Sequence, residues 1–219
     1  MKVIQYWKII VLCVVSAFGN VAFRYLITDM ANIPLYADTV FTVAMCFFAG
    51  LVPGLLTVGL YFTLSSIRYV VLQGAAAGDV WVINIFIICA ILEVLVVCLY
   101  RRRMKSSEST FFENPWLDSF TGILVHLLIL SVIACIAISI AGGIIDFVLS
   151  QFNVTQDFSP EDNFKLGLLR NNVNILATAI LSRIPINIVD RFIVVFGGFA
   201  VSLLYRKLVK LGGKRKKKK

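Results

Sequence analysis

The sequence predicts an all-α integral membrane protein, a bundle of six transmembrane helices with an amphipathic lid on its outer side. Three observations predict it. Of the 219 residues, 59% are hydrophobic and 15% charged, against about 45–50% and about 25% in an average soluble domain. Mean hydropathy is +0.90, and the apolar residues gather into stretches fit to cross a hydrocarbon core about 30 Å thick. The basic residues cluster at alternate ends of those stretches, as the positive-inside rule requires of an even number of crossings.

The first stretch, 7–27, is too long and too polar at its far end for the apolar region of a signal peptide, and is read as a mature helix. TDMANIPLYAD follows as an outer loop carrying Asp29, Tyr36 and Asp38. The second stretch, 38–51, is short. AGLVPG joins it to the third, 53–72; Pro53 and the flanking glycines favour a tight turn, hence an antiparallel hairpin. QGAAAGD is a small, flexible outer loop before the fourth stretch, 80–100. The inner segment 101–119 opens as RRRMKSSES, which is polar and suits a solvated loop. It continues as TFFENPWLDSF, whose Phe111, Phe112, Trp116 and Phe120 beside acids suit the membrane interface or a partner protein.

The fifth stretch, 120–150, is long enough to continue beyond the bilayer. Residues 151–185 form the one long outer segment. QFNVTQDFSPEDN is polar and acidic; FKLGLLRNNVNILATAILS then places Leu166, Leu168, Leu169, Val173, Leu176 and Ile180 at helical spacing, interrupted by Arg170 and asparagines. That pattern predicts an amphipathic helix lying over the outer face, since a seventh crossing would reverse the charge rule. Pro185 reads as a turn ahead of the sixth stretch, 186–208.

Fifteen of the 21 Lys and Arg then fall on one side, which places both termini in the cytoplasm and the chain in the plasma membrane. The terminal KRKKKK reads as an anchor on anionic lipid rather than a nucleic-acid tail. All five cysteines (Cys13, Cys46, Cys89, Cys98 and Cys135) lie in apolar stretches with no CxxC or Cys/His cluster. They predict buried thiols, with neither a metal site nor a disulfide framework. No HExxH, GxSxG or GxxxxGK[ST] motif occurs, so neither an enzyme nor a cofactor is expected.

Ionisable and amide side chains inside a membrane are expensive and mark either tight pairing or function. Asn20, Arg24, Asp38, Arg68, Asn84, Asp146, Asn187, Asp190 and Arg191 all fall in the outer half, and every helix supplies at least one. Singly, each reads as a cap or a snorkelling side chain. Together they predict an outward-facing polar cavity roofed by 151–185. The inner half holds Glu93 and His126, which admit three readings: a proton relay, a structural pair, or a protonated and inert glutamate.

Four features resemble the substrate-binding S component of energy-coupling factor (ECF) transporters. These are six helices with cytoplasmic ends, the loop NIPLYAD leading into the second helix, the AGLVPG hairpin, and a long outer loop followed by IPINIVDRFIVVF. The resemblance implies a subunit that captures a vitamin or related micronutrient from outside. It would hand its cargo to a membrane T subunit driven by cytoplasmic ATPases. It implies ligand contacts at Tyr36, Asp38, Asn84, Asp146, Asn187, Asp190 and Arg191. It also implies a docking surface on the first three helices, where the AxxxA pattern common in the family's first helix is replaced by Cys13-x-x-x-Ala17 and Ser16-x-x-x-Asn20. The competing expectations are a membrane sensor or scaffold module and a stand-alone proton-coupled transporter.

Overall fold

The computed structural model describes residues 2–31, 33, 35–74, 77–113, 117–152 and 162–215. Among them all regular structure is helical: α1 (Lys2–Arg24) running on as a π-helical turn (Tyr25–Met30), α2 (Val40–Ala49), α3 (Leu51–Gln73), α4 (Ala77–Asn84), α5 (Ile87–Glu113), α6 (Leu117–Gln151), α7 (Asp162–Arg170), α8 (Ile175–Leu181) and α9 (Ile184–Arg215). Five stretches are long and apolar enough to cross a membrane: Tyr6–Thr28, Leu51–Val71, Val80–Met104, Phe120–Gln151 and Ile175–Val209. Their outward faces expose large apolar side chains such as Trp7, Val15, Val52, Val71, Leu99, Ile136 and Leu204. A soluble protein rarely shows contiguous apolar surface of this kind. This is a membrane protein.

The second predicted crossing is not a full helix. At ten residues, α2 is about 15 Å long, half the hydrocarbon thickness. Residues 35–39 ahead of it are non-helical, because side chains from other helices fix that backbone. α2 sits at the centre of the bundle, against α1, α3, α5 and α9. Seven of its ten residues are buried, as expected of a helix apolar on every face. Val40, Val43, Cys46 and Phe47 of α2 meet Val58, Val94, Val97, Leu130 and Val194 in the main core. Phe47 and Phe199 pack edge-to-face at 5.5 Å. Gly198 permits the close approach of α9, since a Cβ there would lie 2.7 Å from Val43 Cγ1 and 3.0 Å from the Val40 carbonyl oxygen.

The hairpin is tighter than the spacing predicts. Gly50 alone reverses the chain, at φ +95°, a conformation that favours glycine. Pro53 falls inside the first turn of α3, where its missing N–H is not needed. The fourth stretch is interrupted at Ile85–Phe86, between α4 and α5. Residues 101–109, read as a solvated loop, instead extend α5 as helix, which runs on to Glu113. Phe120 is exposed, whereas the side chains of Phe111 and Phe112 and all of Trp116 lie outside the described residues.

The outer segment also departs from its sequence reading. The single amphipathic helix is two, α7 and α8, broken at 171–174. Asn172 adopts φ +55°, tolerated best by asparagine among non-glycine residues. Asn174 caps α8 by accepting the Leu176 N–H at 2.9 Å. α8 lies on α6, where a Cβ at Gly143 would fall 2.9 Å or less from the Ile180 backbone nitrogen and Cα. Pro185 is no turn between lid and helix; it occupies the first turn of α9, whose Asn187 N–H reaches the Arg183 carbonyl at 2.9 Å. Residues 153–161 and the terminal 216–219 are outside the described residues.

Candidate functional site

The first turn of α2 lies inside the bundle, so its free backbone N–H groups need partners from elsewhere. Asn20 of α1 supplies one: its Oδ1 accepts the Phe41 N–H at 2.9 Å, and its Nδ2 donates to Thr42 Oγ1 at 2.8 Å. Just upstream, the Ala37 N–H donates to Asp190 Oδ1 at 2.6 Å. Ala37 has φ +36°, a conformation alanine avoids, and the buried bond to Asp190 holds it there. Asp38 Oδ2 accepts the Tyr61 hydroxyl at 3.0 Å and lies 3.5 Å from Arg24 Nη1. Arg24 in turn donates to the hydroxyls of Tyr61 at 3.2 Å and Tyr69 at 3.1 Å.

Arg191 is the hub. One terminal nitrogen bonds Glu93 Oε1 and the other bonds Asp190 Oδ2. The first also reaches Thr39 Oγ1 at 3.4 Å. The centre of the bundle thus holds three carboxylates (Asp38, Glu93, Asp190) and two guanidiniums (Arg24, Arg191). Two of its buried atoms, Glu93 Oε2 and Arg191 Nε, find no hydrogen-bond partner among the described residues.

Arg191 is also the lowest rung of a ladder. Arg183, Asn187 and Arg191 recur every four residues, so they share one face with a rise of about 6 Å per step. Arg183 Nε and Nη2 bond Asp146 Oδ2 at 2.9 and 2.8 Å; Lys165 of α7 joins the same oxygen at 3.2 Å. The Arg183 guanidinium stacks 5.2 Å over the Phe86 ring, at the break between α4 and α5. One step down, Asn187 Nδ2 donates to Ser139 Oγ at 2.9 Å. Each rung therefore ties α9 to α6 or α5 through polar atoms.

Of the residues read as ligand contacts, Asp38, Asp190 and Arg191 belong to the central cluster, and Asn187 and Asp146 to the ladder above it. Tyr36 is half-buried in the segment that enters α2. Asn84 stands apart, accepting Ser66 Oγ at 3.0 Å between α3 and α4. The α1 residues read as a docking face turn into the bundle. Cys13, Ser16, Ala17 and Asn20 are all fully buried, Ser16 against the Tyr205 hydroxyl at 2.9 Å and Cys13 at 3.6 Å from the Pro53 carbonyl. Small and polar residues let helices pack closely; here they pack α1 onto its own bundle. Glu93 and His126 have separate partners: Glu93 bonds Arg191, while His126 Nδ1 lies 3.1 Å from the Tyr100 hydroxyl.

Thr39, Tyr61, Ser139 and Arg183 were not singled out from the sequence. For Arg183 a signal existed, the four-residue period shared with Asn187 and Arg191. Tyr61 offered none, being one apolar residue among many. Comparison of the chain with protein-family models, curated proteins and solved structures gives no match.

Proposed function

We propose that the chain captures a small vitamin-like solute at the outer side of the plasma membrane and hands it to an ATP-driven module, as the S component of an ECF importer does. One juxtaposition supports this reading. Two of the stretches that carry the resemblance, NIPLYAD and IPINIVDRF, meet at the buried Ala37–Asp190 bond, 153 residues apart in the chain. Residues 35–39 and α2 together make the second of six crossings. Non-helical backbone at membrane depth persists only where protein or a cavity surrounds it, and such broken segments commonly build solute sites.

In this reading the cluster of Asp38, Asp190 and Arg191 is the floor of the site. Tyr36, Asn187 and Asp146 face the solute from above, with α7 and α8 as the lid, while Asn84, bonded to Ser66, lies outside this site. Both termini are cytoplasmic, and the basic tail rests on anionic lipid. The energising partners are a membrane T subunit and its ATPases. They dock on an outward face of the bundle rather than on the buried face of α1.

Mass spectrometry of molecules copurifying with the detergent-solubilised chain tests the proposal. A bound vitamin-class compound, displaced by the same compound in calorimetry and weakened at least tenfold by Asn187→Ala, is the expected result. No binding across a vitamin panel, together with no copurifying ATPase, would overturn it in favour of a sensor or scaffold module.

A further inference from the structure

The central cluster has one more carboxylate than guanidinium. Asp38 faces Arg24, whereas Arg191 alone faces both Glu93 and Asp190. An uncompensated ionised carboxylate is so costly in a low-dielectric interior that such a group neutralises instead. The hydrogen bonds identify which of the three does so. Asp190 accepts on both oxygens, from the Ala37 N–H and from Arg191. Asp38 accepts from Tyr61 and sits beside Arg24. Those environments suit the ionised form, which only accepts. Glu93 is fully buried, and while its Oε1 takes the Arg191 bond, its Oε2 receives none among the described residues.

We infer that Glu93 is a proton-binding site within the bundle, taking up one proton on Oε2 and so making the cluster neutral. The step is a plain transfer: an O–H bond of hydronium breaks, the Glu93 Oε2–H bond forms, and water leaves. The groups facing the site come from α9, α2 with the segment ahead of it, and α5 itself. They are Arg191 and Asp190 of α9, Thr39 ahead of α2, Cys46 of α2 and Cys89 of α5 itself; Asp38, beside Arg24 and Tyr61, faces Asp190 and Arg191 in turn. A metal cation fits less well, because no three His, Cys, Asp or Glu side chains converge on one point among the described residues. A proton needs only one oxygen. The inference does not depend on the identity of the solute, and its test uses none.

The chain has four glutamates, and Glu108, Glu113 and Glu161 lie outside the five apolar stretches. Infrared difference spectra of glutamate-labelled protein (carbon-13 at the carboxyl) in lipid should show one protonated carboxyl per chain at neutral pH. It should shift in heavy water and be absent from Glu93→Gln. Should Glu93→Gln fail to fold, a chain carrying Glu108→Gln, Glu113→Gln and Glu161→Gln leaves Glu93 as the sole source of the band. An ionised Glu93 at neutral pH would overturn the inference. So would stability that rises with sodium but not choline in the wild type and in neither salt in Glu93→Gln, which would make the cation sodium.

Discussion

Asp190 is where two resemblance-bearing stretches meet, and replacing it separates anchoring from charge. Asp190→Ala removes both acceptors. It leaves the Ala37 N–H, bonded at 2.6 Å in the native protein, buried with no partner, at a cost of about 1–3 kcal/mol. It also removes one charge-assisted bond to Arg191, worth about 1.5–3 kcal/mol. Arg191 keeps Glu93, so the larger penalty of stranding a buried guanidinium does not arise. The expected loss is about 3–5 kcal/mol, or roughly 10 °C in melting temperature for a chain of this length. Asp190→Asn retains one carbonyl oxygen for Ala37 but turns its NH2 toward Arg191. It should therefore be the more stable of the two by about 1–3 kcal/mol. Thermal unfolding in detergent measures the totals, and amide exchange at Ala37 measures the anchor alone. Equal destabilisation by the two variants, with unchanged exchange at Ala37, would refute the claim that this bond holds the entry to α2.

Other predictions use neighbouring contacts. Gly198→Ala should cost about 1–3 kcal/mol by overpacking α9 on α2, since the new Cβ meets the Val40 carbonyl and Val43. Gly59→Ala, in α3 with nothing within 4 Å of the new Cβ, should gain about 0.5–1 kcal/mol; thermal melts check both. Arg101→Ala and Arg206→Ala should each cost about 1 kcal/mol by uncovering the last carbonyls of α2, and about twice that together, read by denaturant unfolding. Gly142→Ala should push the Arg183 guanidinium off Asp146, because the added Cβ would lie 2.8 Å from Arg183 Nη1. Faster proteolysis or amide exchange in α8, with the melting temperature changed less than by Gly198→Ala, is the expected signature.

Composition made the helical membrane class legible, and apolar length located the long stretches to within a few residues, except that the last begins at Ile175 rather than 186. What the sequence did not show was depth and direction. Asn20 and Ser16 read as a docking face because a small-residue stripe looks the same whether it meets another protein or the next helix. The structure turns it inward, where Asn20 caps α2. Pro185 read as a break because proline disfavours helix at the residue before it. Once Pro185 is placed in the first turn of α9, Arg183 joins the face of Asn187 and Arg191, and the ladder appears. Glu93 and His126 read as neighbours only because both stood alone in the inner half. Which arginine a buried carboxylate meets depends on helix packing, and no local pattern encodes that.

The short second helix explains more of the site than any single polar residue does. A helix of ten residues buried on all sides has the same exposed ends as a long one, with four free N–H groups and four free carbonyls. In a membrane neither end can rely on water unless it reaches an interface. At its start, Asn20 takes one N–H directly, and the ionised Asp38 and Asp190 place negative charge where the helix dipole is positive. At its end, Arg101 Nη1 donates to the Cys46 carbonyl at 2.8 Å and Arg206 Nη2 to the Phe47 carbonyl at 3.1 Å, where the dipole is negative. Acids above and arginines below are thus the two halves of one electrostatic requirement. The same arginines counted toward topology by the positive-inside rule also clamp α2 from α5 and α9. It follows that adding a helical turn to α2 by forcing residues 35–39 into helix would not strengthen the bundle. It would withdraw the Ala37 N–H from Asp190 Oδ1 and leave that buried oxygen without its donor. A helix-favouring variant such as Asp38→Ala should therefore lower stability despite its better propensity, and a stabilised variant would refute this account of why α2 is so short.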